Sequence, residues 1–367
     1  MPQIVISNLR KVFGDLVAID SLDLTVKDGE YLTILGPTGA GKTTLLRLIA
    51  GLDSQTSGSI TIDGRCVDEL PPEERMVTFL SQTYSLFPHM NAWQNTTFGP
   101  IARGWESEKV NIIGREMLEM VHLYDRKDAL PHELSGGMQQ RNALARALCA
   151  DARILLLDEP LRALDARLRL DLRYELKKLV KDMGMTAIHV THDQEEALTI
   201  SDRIIMLKEG KVIQSGKPED MFNKPASPFI HHFIGEANFM EGTLTGKGAN
   251  SSKLTGQSGR TYEVAATELK VGSKAVAGIK TEFTILEKEA KDGVNDFPGI
   301  IERKLFLGRF TDFELMLDNG HSVHARLPSS IAHKFNEGDK VNVHFDPERL
   351  LVFPVPEKGL KAELEMM

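Results

Sequence analysis

A glycine-rich stretch early in the chain constrains the fold more than any other feature. Residues 36–43 read GPTGAGKT, which fits the pattern G-x-x-x-x-G-K-[ST] of a phosphate-binding loop. The apolar run at residues 31–35 predicts a buried strand before the loop. Residues 44–50 predict a helix after it, which Gly51 ends as a left-handed cap. This order of strand, loop and helix predicts an α/β domain with a phosphate site.

The residue types of the loop suit phosphate chemistry. Glycines at the tight turns let backbone N–H groups point at an anion, and the helix N-terminus adds partial positive charge. Lys42 supplies a full charge for the outer phosphates, and Thr43 offers a hydroxyl to Mg²⁺. The alternative is a glycine-rich turn with an ordinary surface lysine. The predicted nucleotide-binding set is Gly36, Pro37, Thr38, Gly39, Ala40, Gly41, Lys42, Thr43 and Thr44.

Two adjacent carboxylates end a second apolar strand. Residues 154–157 are all apolar, as in a central parallel strand, and Asp158 and Glu159 follow them. The carboxyl ends of such strands are where open α/β sheets bind ligands. Asp158 therefore fits the magnesium shell, and Glu159 fits a general base for water. The alternative is an acidic strand end that faces solvent.

Three further features are ambiguous when each is taken alone. Ser135 can cap a helix whose first residues, Gly136 and Gly137, leave N–H groups open to an anion. His192 follows an apolar strand and could bond a phosphate or orient a water, although a lone histidine there is more often structural. Phe13 beside a glycine is either a core residue or a platform for a nucleobase.

The loop after Gln82 carries unusually many large apolar residues. It extends from Tyr84 to Met90 and reads YSLFPHM. Such a loop either packs onto the core or forms a contact surface for a partner. The chain then predicts helices from about residue 91, and an amphipathic helix over residues 165–183.

Composition excludes several classes of protein. A length of 367 residues predicts about two or three domains. The net charge of −8 does not favour nucleic acid as a partner. Cys66 and Cys149 lack metal-binding spacing and fit a reducing compartment. Neither a signal peptide nor an apolar run of membrane-spanning length is visible, so we expect a soluble chain that would dock on a membrane rather than cross it.

Beyond residue 235 the pattern changes to short alternating stretches separated by Gly, Asn and Asp. Val323, Ala325 and Leu327 fall on one face of one such stretch, and Val341, Val343 and Phe345 on one face of another. Regularly spaced short strands predict a small barrel. The last residues, from about 357, are expected to be a frayed tail.

With these residues in view, the chain resembles the ATPase subunit of ATP-binding cassette importers. The resemblance implies a P-loop NTPase cassette over residues 1–235 with a helical subdomain at about 86–150. It implies a small all-β, oligonucleotide-binding-type (TOBE) barrel over residues 236–356 for dimerisation or regulation, and a tail over 357–367. The matching positions are the phosphate loop, Gln82 (Q-loop), residues 134–139 (signature), Asp158 and Glu159 (Walker B), Leu164 and Asp165 (D-loop) and His192 (switch histidine).

The resemblance also implies roles for these residues. ATP and Mg²⁺ would be the cofactors, and two copies would pair head to tail with each ATP between them. Glu159, His192 and Lys42 would be catalytic, with His192 at the γ-phosphate. Thr43, Gln82 and Asp158 would hold the metal. Further nucleotide contacts would come from Phe13 on the adenine and from Gln82, Ser135, Gly136, Gly137, Gln139, Asp165 and His192.

The implied partners lie at the membrane. Gln82 and the Tyr84-to-Met90 loop would contact two transmembrane permease subunits, and a separate solute-binding protein would deliver the cargo. The chain would then be peripheral on the cytoplasmic face, without nucleic acid. Residues 235–238, GEAN, lean toward a polyamine or ferric iron as cargo, with tungstate, molybdate or sulfate as alternatives. The other functional hypotheses are a soluble cassette ATPase acting on nucleic acid or the ribosome, and a module that holds nucleotide without turnover.

Two positions depart from the family pattern. Arg162 stands in the D-loop where the family often has Ser, and a long cation there could alter hydrolysis or dimer contacts. Residues 280–282 read KTE where the family frequently has Arg-Pro-Glu. The second departure weakens any claim that the barrel keeps a particular regulatory site.

Overall fold

The structure is a computed structural model that describes residues 3–83, 85–150, 152–256, 259–289 and 293–365. The chain divides into two compact units, of which the first extends to Met221 and the second begins at Phe222. Within the described ranges, no helix is long and apolar enough to span a bilayer.

Among its described residues, the first unit combines two sheets with six α-helices, and a seventh α-helix spans the division at residue 221. Its strands are β1 (Ile4–Phe13), β2 (Leu16–Val26), β3 (Tyr31–Leu35), β4 (Ser57–Ile62), β5 (Arg65–Cys66), β6 (Val77–Leu80), β7 (Ile154–Asp158), β8 (Thr186–Val190), β9 (Arg203–Lys208) and β10 (Lys211–Gly216). The helices are α1 (Lys42–Ala50), α2 (Ala92–Ala102), α3 (Ser107–Met120), α4 (Gly136–Cys149), α5 (Ala166–Asp182), α6 (Gln194–Ile200) and α7 (Pro218–Asn223).

A six-stranded sheet in the order β10-β9-β3-β8-β7-β6 forms the centre of this unit. The strands β9, β3, β8, β7 and β6 are parallel to their neighbours, and only β10 is antiparallel. Strands β3, β7 and β8 are buried at every position, which explains why most of their residues are apolar. Because these strands are parallel, the segments that follow β3, β6, β7 and β8 leave the sheet at the same edge.

The four-stranded antiparallel sheet β2-β1-β4-β5 belongs to the same core, through Ile4, Ile6, Leu22 and Leu24. The sequence pattern by itself predicts shorter strands here, over residues 4–7 and 22–26. The hairpin continues to Phe13 and Leu16, and the strand register shifts three times along it. Irregular pairing of this kind lets a hairpin bend, which a strict alternation pattern does not predict.

The helices α2, α3 and α4 pack together on a second apolar cluster that includes Leu118, Leu144 and Leu148. The amphipathic helix begins and ends close to its predicted limits, with Asp165 as N-cap and Met183 as C-cap. Its buried face contains Leu172, Leu176 and Val180, as predicted, but also Arg173, which the apolar pattern did not place there.

The second unit is a small β barrel of two five-stranded antiparallel sheets, ordered β13-β12-β11-β14-β20 and β15-β19-β16-β17-β18. The predicted faces at 323–327 and 341–345 both point into its shared core. Its elements are α8 (Pro228–Phe233), β11 (Ala237–Lys247), β12 (Ser251–Gly256), β13 (Thr261–Ala265), β14 (Lys274–Lys280), β15 (Thr284–Glu287), β16 (Asp296–Phe306), β17 (Phe310–Leu317), β18 (Ser322–Pro328), α9 (Ser329–Ala332), β19 (Lys340–Phe345), β20 (Leu351–Pro354) and α10 (Leu360–Glu365).

The division between the units falls before the boundary expected at residue 235. Helix α8 packs on β14 of the barrel, and α10 packs on α8. The ammonium of Lys280, in β14, donates hydrogen bonds to the carbonyls of His231 (3.0 Å) and Ile234. These long-range contacts also explain why residues 360–365 form a helix where we expected a frayed tail.

A buried histidine in α8 makes the stability of this second unit depend on pH. His231 is only 2% exposed, and its ring lies 5.5–6.0 Å from the rings of Phe353 and Phe239. Burial, followed by the charges of Lys280 and His232, lowers the pKa of His231 from 6.5 to about 3. As the pH falls, His231 in the unfolded chain therefore takes up a proton at a higher pH than it does in the folded chain. The contribution of neutral His231 to the free energy of unfolding is complete above about pH 6.5 and is lost as the pH falls toward about 3.

We expect His231→Phe to make this unit less sensitive to acid. Between about pH 7.5 and about pH 5, the wild type should lose about 2 kcal/mol that the variant keeps. Calorimetry at both pH values measures the difference, and His321→Gln, at an exposed barrel position, is the control. Fluorescence of Trp93 and Trp105 monitors the first unit separately. Equal acid sensitivity of wild type and His231→Phe would refute this explanation.

Candidate functional site

The predicted site residues meet at one edge of the six-stranded sheet. The phosphate loop follows β3, Gln82 follows β6, Asp158 ends β7 and His192 follows β8. These strands lie side by side in the order β3-β8-β7-β6, so side chains far apart in sequence become neighbours. This edge is where ligands bind in open parallel sheets.

Close backbone contacts require glycine at two positions of the loop, Gly36 and Gly41. Gly36 has φ 156°, and a Cβ there would lie 2.1 Å from the carbonyl oxygen of Leu207. Gly41, the N-cap of α1, has φ 100°, and its Cβ would lie 2.4 Å from the carbonyl oxygen of Ala18. Gly39 has φ 80° with open space around it. The predicted left-handed cap of α1 at Gly51 is confirmed.

Lys42 folds back onto its own loop. Its ammonium donates hydrogen bonds to the carbonyls of Gly36 (2.7 Å) and Pro37 (2.8 Å). Burial lowers the pKa of Lys42, and the charges of Glu159 and Asp158 oppose this shift. The cation is thus held at the mouth of the loop, beside the backbone N–H groups that suit a phosphate.

The side chains of Thr43 and Asp158 form a hydrogen-bonded pair of oxygen groups that could hold a metal ion. The Thr43 hydroxyl donates to Asp158 Oδ2 at 2.9 Å, and the carboxylate is only 3% exposed. Burial raises the pKa of Asp158, while the Thr43 hydrogen bond opposes the rise. A hydroxyl beside a carboxylate fits Mg²⁺, which takes hard oxygen ligands and usually completes its shell with water and phosphate.

Glu159 is held by three side chains at once. Its Oε2 accepts hydrogen bonds from Arg162 Nη1 (2.8 Å) and Gln82 Nε2 (3.2 Å). His192 Nδ1 lies 3.3 Å from Oε1. Glu159 also has φ 51°, a left-handed conformation that is uncommon outside glycine and is often found at functional sites.

His192 itself is half exposed, but both of its neighbours are fixed. The Asp193 carboxylate accepts hydrogen bonds from the buried Arg173 (2.6 Å) and from Arg169 (3.4 Å). Thr191 donates to Glu196 at 2.5 Å and accepts from the Asp193 N–H at 3.0 Å. The segment that carries His192 is therefore held to helix α5, while the imidazole itself stays accessible.

The start of helix α4 is open to solvent, as the sequence predicted. Ser135 is the N-cap and accepts from the Met138 N–H at 3.4 Å, and Ser135 and Gly136 are exposed. A Cβ on Gly137 would lie 3.2 Å from the Ala163 carbonyl oxygen. This helix start therefore lies against the turn that follows Glu159.

Three other residues predicted to contact the nucleotide differ in their surroundings within the subunit. The Gln139 amide donates to the carbonyls of Pro131 (2.8 Å) and Leu134 (3.1 Å), which holds it within its own subunit. Asp165 caps α5 by accepting from the Leu168 N–H at 3.0 Å. Phe13 is 47% exposed, with the Lys11 ammonium 4.6 Å from its ring centre, so the alternative that it is a core residue is wrong.

Sequence reasoning missed Gln140, which is buried in α4. Its amide donates to the Glu159 carbonyl at 3.1 Å and accepts from the Ala163 N–H at 2.9 Å. Both ends of the turn after Glu159 are therefore fixed to α4. Gln140 lies three and four positions before the buried Ala143 and Leu144, so helical periodicity could have predicted that this polar residue is on the buried face.

The loop predicted to contact a partner is described from residue 85, because Tyr84 lies outside the described residues. Asn95 fixes the loop by accepting from the Phe87 N–H (2.9 Å) and donating to the Met90 carbonyl (2.9 Å). Arg146 donates to the Ser85 carbonyl at 2.7 Å. Pro88 and His89 remain exposed while Leu86 packs against the core, so the loop is attached to the core and also presents a surface.

Comparison with known families agrees with this geometry. Residues 19–162 match the family described as ABC transporter, and residues 277–353 match the TOBE domain. The spermidine/putrescine import ATP-binding protein PotA of Mesorhizobium japonicum is 40% identical over 347 residues, covering 93% of this chain and 94% of that protein. The Fe(3+) ions import ATP-binding protein FbpC of Fusobacterium nucleatum subsp. nucleatum is 37% identical over 366 residues, covering 99% and 95%.

Among solved structures, similarity extends to a dimeric post-hydrolysis state of the ATP-binding cassette MJ0796 bound to ADP and Pi. That chain is 33% identical, with a TM-score of 0.55. The match covers 59% of the present chain and 98% of that one. The expected fold, a P-loop cassette followed by a small β barrel, is confirmed.

Proposed function

Because the chain belongs to the ATP-binding cassette importer ATPases that carry a TOBE domain, we propose that it powers solute uptake through separate membrane subunits. ATP hydrolysis is the activity of this family, and this chain is one of its ATPase subunits. The observation that carries the proposal for this chain is the convergence of Lys42, Asp158, Glu159 and His192 at one sheet edge.

Hydrolysis in this proposal depends on positioning and charge. The loop N–H groups and Lys42 hold the phosphates of ATP, and Glu159 accepts a proton from the attacking water. His192, beside Glu159, contacts the γ-phosphate and keeps the water in line. Thr43, Asp158 and Gln82 would hold Mg²⁺, which supplies neutralisation of phosphate charge when it is bound.

A second copy of the chain completes the site. Two copies pair head to tail, and the open N-terminus of α4, with Ser135, Gly136 and Gly137, faces the ATP of the other copy. Phe13 stacks on the adenine, Gln139 supports the signature helix, and Asp165 belongs to the facing surface. The dimeric form of the similar ADP-bound cassette supports this arrangement. ATP would then favour the closed dimer, and hydrolysis would favour its opening.

The membrane partners are two permease subunits. Gln82 and the rigid loop that ends at Met90 are the proposed contact, because the exposed Pro88 and His89 protrude from a well-fixed backbone. The chain would be peripheral at the cytoplasmic face, served by an external solute-binding protein. Relatives named for spermidine/putrescine and for Fe(3+) support a polyamine or ferric iron as cargo, ahead of an oxyanion.

The test is recovery of the membrane partners from source-cell membranes with the tagged full-length chain. We expect polytopic subunits to co-purify with the wild type and with His333→Asp, at an exposed barrel position, but poorly with His89→Asp. Uptake of labelled spermidine and of ferric iron by cells lacking this chain identifies the cargo. If both uptakes are intact and no membrane subunit is recovered, the importer proposal fails.

The alternative function is a cassette ATPase that acts on nucleic acid or the ribosome. The net charge of −8 argues against it, because such binding needs a basic surface. Salt-sensitive stimulation of ATP turnover by RNA or DNA would favour this alternative over transport. A module that holds nucleotide without turnover would instead show ATP binding and no phosphate release in the presence of the permease.

A further inference from the structure

One oxygen of the carboxylate proposed as general base already accepts two hydrogen bonds in this conformation. Oε2 of Glu159 receives both Arg162 and Gln82, and Oε1 faces His192. A general base needs a free lone pair directed at the water whose proton it takes. In the conformation described, Arg162 and Gln82 use the lone pairs of Oε2, so a water could use only Oε1, beside His192.

A small polar cavity lies beside the ion pair of Glu159 and Arg162. A cavity of about 60 Å³ is lined by Glu159, Arg162 and His192, together with Leu161, Arg169, Thr191, Asp193 and Glu196. Such a volume can hold a water molecule among polar partners. The Arg162 side chain is 57% exposed, whereas that of Glu159 is 14% exposed, so the guanidinium covers the base from the solvent side.

The contact is removable without refolding the turn. Gln140 holds the backbone at Glu159 and at Ala163, and the Glu159 N–H donates to the Val190 carbonyl at 2.9 Å. The backbone that carries Glu159 is therefore fixed by α4 and β8, independently of Arg162. The long Arg162 side chain can swing away by rotating its own torsions while Glu159 stays in place.

We propose that Arg162 holds Glu159 away from its catalytic role in the unpaired subunit, and that formation of the ATP-bound dimer, in which hydrolysis occurs, must first withdraw it. The inference rests on the proposed function, in which Glu159 is the base and α4 faces the partner's ATP. The turn that carries Arg162 lies against Gly137 at the start of α4. A triphosphate arriving there competes for the guanidinium, because arginine binds phosphate oxygens strongly.

The test compares ATP turnover by the full-length wild type, Arg162→Ser and Arg162→Lys at low chain concentration. At low chain concentration, where dimer formation limits turnover, Arg162→Ser should raise the turnover rate about two- to fivefold, because the dimer then forms without breaking a partly exposed ion pair. Binding of ATP to the unpaired subunit should not change, since Arg162 contacts the base and not the phosphate loop of its own subunit. Arg162→Lys should be intermediate, and Arg167→Ser, at an exposed position in α5, is the matched control.

Chain concentration provides a readout that a merely structural role would not affect. The gain in Arg162→Ser should shrink as the concentration rises, because the wild-type dimer has already withdrawn Arg162. A fall in turnover in Arg162→Ser would instead mean that Arg162 assists the partner's phosphate. That fall, or equal turnover in the two chains, including none in either, would overturn the proposal.

The double variant Glu159→Gln/Arg162→Ser separates this inference from the proposed function. If Glu159 is the base, the double variant stays inactive while Arg162→Ser alone is activated. Persistent turnover in Glu159→Gln alone would refute the assignment of the base. A normal loss in Glu159→Gln with no gain in Arg162→Ser would refute only the restraint.

Discussion

Replacing Glu159 with Gln should reduce ATP turnover by at least about a hundredfold, because general-base catalysis contributes about 10²–10⁴. The amide has nearly the same shape and can still accept hydrogen bonds from Arg162 and Gln82. It cannot take a proton from water. ATP binding should persist, since Lys42 and the loop are unchanged, and the variant should accumulate as an ATP-bound dimer.

Phosphate release and light scattering with ATP measure the two parts of this expectation. Glu195→Gln is the matched control, because Glu195 lies in the nearby helix α6 with its side chain 86% exposed. Turnover of the control should equal that of the wild type. If Glu159→Gln hydrolyses ATP at the wild-type rate, a different group activates the water. If turnover stops and no dimer forms, the head-to-tail arrangement is wrong.

The second large effect is expected from Gly36→Ala in the phosphate loop. An alanine Cβ would lie 2.1 Å from the Leu207 carbonyl oxygen, on a backbone that cannot move without shifting β9. We expect the free energy of unfolding of the first unit to fall by more than about 3 kcal/mol, together with loss of ATP binding.

Gly39→Ala is the control for Gly36→Ala. Gly39 also has positive φ, but a Cβ there meets nothing within 4 Å. Gly39→Ala should lower the free energy of unfolding only by the penalty for a left-handed backbone, about 1–2 kcal/mol. Urea unfolding followed by fluorescence reports the first unit, since both tryptophans, Trp93 and Trp105, lie in it. Similar losses in both variants would show that φ and not the steric contact decides stability at Gly36.

Local patterns predicted the strands and helices that carry the site. The phosphate loop, the strand ending at Asp158 and the helix capped by Ser135 each have a signal within a few residues, because backbone conformation there depends on glycine, capping and periodicity. The long β1–β2 hairpin and the terminal helix α10 escaped prediction, since both depend on irregular pairing or on distant packing.

The sequence alone thus predicted which backbone segments suit a phosphate, and it determined which strand carries the carboxylates and, through the order of its motifs, the family to which the chain belongs. Tertiary structure decided how those groups meet. Gln140 reaches the turn after Glu159, and Arg173 reaches Asp193, because the fold brings α4 and α5 to the segments that follow β7 and β8. Contacts between residues distant in sequence leave no periodic or local signal, and the pairing of Arg162 with Glu159, only three residues apart, has no periodic signal either, so only the folded chain reveals them.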